Sequence, residues 1–253
     1  MDTSSAPNTD DAAFDFPSAS PAHFYIVSST WRSGGTFICN ELWKTGVLGA
    51  PSEYFNLHGT MFHMAQRFGV ESINDYVTRL FEARTSPNGV FGVKVHWDQL
   101  QLLLISDMIY RFHAPKWIAV ERRNLVAQCV SHAKAMQTKQ YHSFDKAVAE
   151  PEYDFEKILR IYRRLTVDLD QRRTFFLGSR FEPHVVVYED FLKNPVKSLT
   201  GIRNFLGFPD APSVVVDLPS LAQQADQKSA EWTERFKRDA VRRGIDLVDT
   251  RHL

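Results

Sequence analysis

The chain has 253 residues, 43% of them hydrophobic and 24% charged, and its 30 basic and 30 acidic side chains leave no net charge. A chain of this length buries about 70–75% of its surface on folding, so its core needs no disulfide or metal staple. The charge balance argues against a nucleic-acid or anionic-membrane partner. An anion site has to be built locally, from a few cations and backbone amides.

Residues 1–22 are polar and acidic, without the basic start and apolar centre of a secretory signal. They read as a mobile arm, leaving 23–253 as one domain. No run of about 18 apolar residues follows, so no bilayer-spanning helix is expected. Phe24–Ser28 is a short apolar run suited to a buried strand, and it stops in Ser-Thr-Trp-Arg-Ser-Gly-Gly. Thr36–Thr45 then carries helical apolar spacing, with Gly46 at the stop. Gly89–Trp97 reads as a second strand, and Asp98–Phe112 as a helix with Asp98 as its N-cap. Lys116–Arg122 reads as a third strand and Asn124–Lys139 as its helix. A long Arg-rich helical pattern runs from Glu152 to about Ser179, followed by a fourth strand over His184–Asp190. Asn194–Pro209 is a helix with Pro near its start and Gly-Phe-Pro at its stop, and Ser229–Arg243 carries a last helical pattern. Strands alternating with helices predict an α/β fold of three layers, a central parallel sheet flanked by helices. Ligands of such sheets bind outside the carboxyl ends of the strands.

Cys39 and Cys129 stand 90 residues apart, each within an apolar helical pattern. They read as core thiols rather than a disulfide or metal clip, which favours a reducing, cytoplasmic compartment. No HExxH, Cys/His spacing or Asp-rich loop points to a metal.

The turn after the first strand carries the first chemistry. A helix N-terminus behind a Gly turn offers open amides and a positive dipole end. Gly34 and Gly35 permit close approach of an anion. Ser33 and Thr36 add hydroxyls, and Arg32 adds a forked cation that matches an oxyanion. The nucleoside-triphosphate loop GxxxxGK[ST] has a lysine that is absent here, which speaks against an ATPase or GTPase, although His184–Asp190 has the look of a strand ending in a metal-binding Asp. A plain strand–helix turn is the alternative.

The second constellation begins at Arg123, at the end of the third strand. On the helix that follows, Asn124, Gln128, Ser131, Ala135 and Thr138 share one narrow, mostly polar face, and apolar residues occupy the rest. A solvated stripe is the alternative. With the first loop, though, two oxyanion sites at neighbouring strand ends suit a nucleoside with phosphates at both ends.

These residues also carry a resemblance. Arg32-Ser33-Gly34 with Thr36 resembles the 5′-phosphosulfate loop of sulfotransferases, and Arg123 with Ser131 matches the spacing of their 3′-phosphate motif. Tyr188–Pro195 and Asn204–Pro209 look like their fourth-strand and helix signature. Within that superfamily the chain is most similar to the bacterial carbohydrate type, the group of trehalose 2-sulfotransferases and nodulation-factor sulfotransferases. Gly49–Asn56, Phe91–Trp97 and Gln224–Phe236 resemble further blocks of that group. Three departures stand out: Ser29-Thr30-Trp31 replaces a smaller lead-in, Gly35 stands where Ser or Thr is common, and Tyr54 replaces a Phe.

The resemblance implies transfer of a sulfuryl group from 3′-phosphoadenosine-5′-phosphosulfate to a hydroxyl of a carbohydrate or glycolipid, with no metal, by a homodimer. It implies that Arg32 and the loop from Ser33 through Gly34, Gly35 and Thr36 to Phe37 hold the 5′-phosphosulfate, and that Arg123 and Ser131 hold the 3′-phosphate. Glu53 is implied as general base, with a histidine, His58 or His96, as the alternative. Lys94, near a strand end, either reaches the sulfuryl oxygens or is a rim charge. Trp31, Tyr54, Phe55 and Trp97 either stack on a sugar or pack in the core. A nucleotide kinase or NTPase, and a non-catalytic nucleotide-binding module, are the competing classes.

Overall fold

A computed structural model describes residues 11–57, 59–105, 109, 112, 115–140, 148–214, 216 and 227–247. Four strands, β1 (His23–Ser28), β2 (Val90–Val95), β3 (Lys116–Glu121) and β4 (His184–Val187), form one sheet in the order β2-β1-β3-β4. All three pairings are parallel, with Ser28 opposite Val95 and Ala119, and Glu121 opposite Val187. The α/β fold with a central parallel sheet flanked by helices is therefore as expected. β1 and β2 are buried almost end to end, as strands covered on both faces must be.

Side chains alternate across β1. Phe24 and Ile26 join a core with Phe91, Val93 and Leu80, whereas Tyr25 and Val27 join the opposite core with Ile38, Leu42 and Ile202. Nine helices surround the sheet among the described residues: α1 (Gly35–Trp43), α2 (Thr60–Phe68), α3 (Ile73–Arg84), α4 (Trp97–Ile105), α5 (Leu125–Thr138), α6 (Phe155–Gly178), α7 (Tyr188–Lys193), α8 (Pro195–Leu206) and α9 (Gln227–Arg242). A third apolar cluster, centred on Cys129, Leu165 and Phe236, joins α5, α6 and α9. Cys39 and Cys129 are buried free thiols, and burial pushes both up to about 12. Among the described residues, no helix is long and apolar enough to cross a membrane.

The elements differ from the sequence reading in four places. The fourth strand stops at Val187, and Tyr188, Glu189 and Asp190 open α7 instead of ending β4. Two carboxylates in a first turn suit the positive end of a helix better than a strand end. Asp98 lies within the first turn of α4 rather than capping it, and α4 ends at Ile105, short of the expected Phe112; residues 106–108 and 110–111 of that span lie outside the described residues, as do residues 224–226. Helices α2 and α3 carried no expectation, although Ser72 accepts from the Asp75 amide as an N-cap and Gly69 closes α2 in the left-handed region.

The fourth difference is in the N-terminal segment, whose described part begins at Asp11. It is docked on the body. Phe14 is buried against Trp43 at 4.2 Å, and the Phe16 amide donates to Ala83 O. Arg84 is wholly buried, with its Nη2 donating to Asp11 O and its Nε 3.4 Å from Asp15 Oδ1. Asp15 also pairs with Arg67. Removing one partner of a fully buried pair costs about 3–5 kcal/mol because the other charge is stranded; Asp15 is 29% exposed, so Asp15→Ala is expected to cost less, about 2–3 kcal/mol. Thermal unfolding reads this as a fall of about 4–12 °C in Tm; a parent-like Tm would contradict the docking.

Candidate active site

The strand order places β1 between β2 and β3, so the chain leaves β1 in one direction for β2 and crosses back for β3. The ends of β1 and β3 therefore flank the point where the winding reverses, and a crevice opens there in sheets of this kind. The turn from Ser29 to Gly34 leaves β1 on one side of it, and the turn from Arg122 to Asn124 leaves β3 on the other. A hollow of about 440 Å³ opens at the other end of the sheet between Ala22, His23, Phe24 and Phe208. It contains none of the groups described below, so the chemistry is read from the strand C-termini.

The β1 turn is built for a ligand at the start of α1. Gly34 caps the helix at φ 91°, and no side chain closes its first turn, so the amides that follow face outward for an anion. Ser33 is buried, with its hydroxyl and amide both donating to Thr30 O at 2.8 and 3.2 Å, so its hydroxyl shapes the turn. Arg32 sits at φ 59°, a left-handed conformation rare for a side-chain-bearing residue and a form of strain concentrated at functional sites. Its carbonyl accepts from Arg122 Nη1 at 2.9 Å, and its Nε donates to Ser131 Oγ at 3.0 Å. Gln128 Nε2 adds bonds to Thr30 Oγ1 and Trp31 O at 2.8 and 2.6 Å. Of the polar stripe of α5, Gln128 and Ser131 thus face the β1 turn.

Glycine at 34 is required twice over. Its φ is left-handed, and a Cβ there would lie 2.2 Å from Tyr188 Cδ2. Gly34→Ala is expected to cost at least about 1–2 kcal/mol from the backbone alone, seen as a lower denaturant midpoint; an unchanged midpoint would contradict this packing. At Gly35 a Cβ would come within 2.8 Å of Ser29 Oγ and 3.0 Å of Lys94 Cε.

Behind the turn lies a second group of charges. Lys94, only 4% exposed near the carboxyl end of the edge strand β2, donates to Thr36 Oγ1 at 2.9 Å and to Glu53 Oε1 at 2.5 Å. It is no rim charge: it ties the start of α1 to the Glu53 loop. Gln99 Nε2 donates to Glu53 Oε2 at 3.0 Å, and His96 Nε2 lies 3.2 Å from Glu53 Oε1. The other ring nitrogen of His96 faces Ser29 O at 3.0 Å. Burial works to raise the Glu53 carboxyl, but Lys94 and His96 outweigh it and hold the group well below the usual carboxylate range. The Glu53 side chain remains 23% exposed. A carboxylate has about four lone-pair sites. Lys94 and His96 take those of Oε1, and Gln99 takes one of Oε2, so one site on Oε2 is left for an incoming proton.

Arg123 pairs with α7. Its guanidinium grips Asp190 of α7, and the Glu189 carboxylate accepts from the amides of Arg123 and Asn124. Ser131 is brought to Arg32 instead. The aromatic residues mostly pack: Tyr54 and Phe55 are fully buried, and Trp97 lies edge-on to Phe175. Trp31 stacks flat on His132 at 5.2 Å, with Arg164 6.0 Å from its centroid. Burial first, then Arg32 and His96, push the His132 imidazole down to about 4, which leaves it neutral. His58 lies outside the described residues. Arg122 and Gln99 carry no signal as site residues in the sequence; Gln128 does, by its place on the polar face of α5. Among the described residues no cluster of three or more His, Cys, Asp or Glu side chains is arranged for a metal.

Comparison with known proteins adds to this geometry. The profile of the Stf0 sulphotransferase family matches residues 24–239. Trehalose 2-sulfotransferase of Mycolicibacterium smegmatis is 28% identical, over 88% of this chain and 97% of that protein. Trehalose 2-sulfotransferase of Mycobacterium tuberculosis is 27% identical, over 87% and 97%. Among solved structures, the sulfotransferase domain from the curacin biosynthetic pathway aligns at a TM-score of 0.49 and 14% identity, over 90% of this chain and all of that one.

Proposed function

The chain belongs to the Stf0 sulphotransferase family and is a sulfotransferase, and on that premise we propose that it moves a sulfuryl group from 3′-phosphoadenosine-5′-phosphosulfate to a hydroxyl of a carbohydrate or glycolipid, with Glu53 as the general base. The observation that carries this reading is the link from donor loop to base. Thr36 at the start of α1, Lys94 on β2 and Glu53 form one hydrogen-bonded chain. The carbohydrate acceptor is supported by the trehalose 2-sulfotransferases among the relatives.

The residues present fit the donor. Arg32 and the amides of Gly34, Gly35, Thr36 and Phe37 suit the 5′-phosphosulfate, with the Thr36 hydroxyl beside them. Ser33 contributes by holding the turn, and Ser131 by aiming Arg32. Arg123 offers a half-exposed guanidinium for the 3′-phosphate. Bound there, the donor supplies a sulfuryl group whose bond to the phosphate oxygen breaks as a bond to the acceptor oxygen forms. The acceptor proton passes to Glu53 Oε2, and charge growing on the departing phosphate is met by Arg32 and the α1 dipole. Lys94 is poised to leave Glu53 for a sulfuryl oxygen, which would make Glu53 a stronger base as transfer proceeds.

His96 suits a positioning part better than that of base. The residue is 6% exposed, with Nδ1 against Ser29 O and Nε2 against Glu53, so neither ring nitrogen is open to an acceptor hydroxyl. The homodimer implied by the resemblance belongs to the same proposal and is checked by the mass in solution. The donor claim is tested by calorimetry with 3′,5′-adenosine bisphosphate. Binding at micromolar concentration that is lost in Arg32→Ala is expected; no binding at millimolar concentration would overturn it.

A further inference from the structure

The group expected to take the 3′-phosphate already holds an anion. Arg123 Nη1 and Nη2 meet Asp190 Oδ1 and Oδ2 at 2.8 and 2.5 Å, the side-by-side fork that a guanidinium also presents to a phosphate. The backbone of the same turn is engaged as well. Glu189 accepts from the Arg123 and Asn124 amides at 3.1 and 3.2 Å, and Asn124 Oδ1 caps α5 at the Ala127 amide. A phosphate arriving at this turn therefore has to engage the Arg123 side chain, and Asp190 stands against it.

The two acidic residues of α7 differ in how firmly they are placed. Glu189 is tied to two backbone amides that cannot move without unwinding the start of α5. Asp190 is tied to a side chain and not to the backbone. Both ends of that pair are about half exposed, at 49% and 51%, so a ligand can reach them and water weakens the bond. Asp190 is also the member with support elsewhere: it lies in the first turn of α7, at the positive end of the helix, and Lys193 follows one turn later.

We propose that Asp190 competes with the 3′-phosphate for Arg123 and so sets how strongly the enzyme favours nucleotides carrying that phosphate over those without it. The proposal rests on the reading of Arg123 given above. Donor binding opens the Arg123–Asp190 pair, and Asp190 falls back on Lys193 and the helix end. Product release is eased by the same competition, because Asp190 recloses on Arg123 as 3′,5′-adenosine bisphosphate departs.

Calorimetry on the parent, Asp190→Asn and Arg123→Ala proteins, with 3′,5′-adenosine bisphosphate and 5′-AMP as probes, tests this. Asp190→Asn keeps the shape of an exposed side chain and removes its charge. The variant is expected to bind the bisphosphate about two- to fivefold more tightly, the range open to an exposed ion pair, and to bind 5′-AMP as the parent does. The gain is expected to shrink as salt rises. Unchanged or weaker binding of the bisphosphate would overturn the proposal, since Asp190 would then be inert or would hold Arg123 in place for the phosphate. Equal tightening of both nucleotides would overturn it too, as a general charge effect. Arg123→Ala separates this from the underlying reading. If that variant keeps the parent's preference for the bisphosphate, Arg123 is not the 3′-phosphate ligand, whatever Asp190→Asn does.

Discussion

Glu53→Gln is expected to lower kcat by about 10²–10⁴-fold, the range of a lost general base, while 3′,5′-adenosine bisphosphate binds as in the parent. The amide keeps the size of the side chain and can still accept one hydrogen bond from Lys94 or His96. It cannot take the acceptor proton. Calorimetry and steady-state rates on the same preparation separate the two effects. A near-normal rate would remove Glu53 from the mechanism and return attention to His96.

The pH dependence follows with its sign. Burial alone would raise the Glu53 carboxyl, but Lys94 and then His96 bring it well below the usual range. A carboxylate lowered on folding stabilises the native state at pH values above its unfolded value, near 4.3, and loses that contribution as pH falls through the lower folded value. The acid limb of kcat/KM set by Glu53 therefore lies below the ordinary glutamate range. Lys94→Met removes the first of the opposing charges, so the limb is expected to move to higher pH as well as the rate to fall. A limb that stays in place would mean that Lys94 does not set the charge state of Glu53.

Arg32→Ala carries the second large effect. Removing a donor aimed at developing charge costs about 10²–10³-fold in kcat, and here the loss extends to donor affinity, because the same guanidinium meets the ground-state phosphate. Arg32→Lys is the sharper probe. It keeps the charge but not the fork, and it loses the Nε bond to Ser131 that fixes where the head points. Arg32→Lys is expected to fall between the parent and Arg32→Ala, with Ser131→Ala lowering the parent's rate but leaving Arg32→Lys unchanged. Equal effects of Ser131→Ala in both backgrounds would mean that Ser131 acts on the ligand directly and not through Arg32.

Much of this site is legible in the chain. A Gly turn between a buried strand and a helix, with an arginine in place of the nucleotide-binding lysine, marks the anion loop. Lys94 and His96 carry a signal as well. A lysine inside a strand that is otherwise Val, Phe and Gly has to find a partner once the strand is buried. Glu53 is that partner, brought to it by a loop that leaves no trace of the contact in the sequence. The register of β1 against β2 sets Val27 beside Lys94 and so carries the amine to the start of α1, which no local pattern records.

Other features became readable only in three dimensions. The Gly at 35 has a local reason, since a side chain there would come within 2.8 Å of Ser29 Oγ and 3.0 Å of Lys94 Cε. Trp31 beside Arg32 turns out to be a wall, packed between His132 and Arg164, and not an open platform for a sugar. The Tyr188-Glu189-Asp190 triplet reads as a strand from its β-branched lead-in, yet its two carboxylates start a helix and reach across to the β3 turn. Long-range pairs of this kind depend on the order of strands in the sheet, and composition and spacing do not contain that order.

The most direct measurement is transfer itself. Purified protein is incubated with sulfur-labelled 3′-phosphoadenosine-5′-phosphosulfate and a panel of carbohydrates that includes trehalose, with Glu53→Gln alongside. Label appearing on a sugar hydroxyl with the parent, and falling by at least about 10²-fold with the variant, is the predicted result. Label that reaches no sugar, or that reaches one equally well with Glu53→Gln, would contradict it.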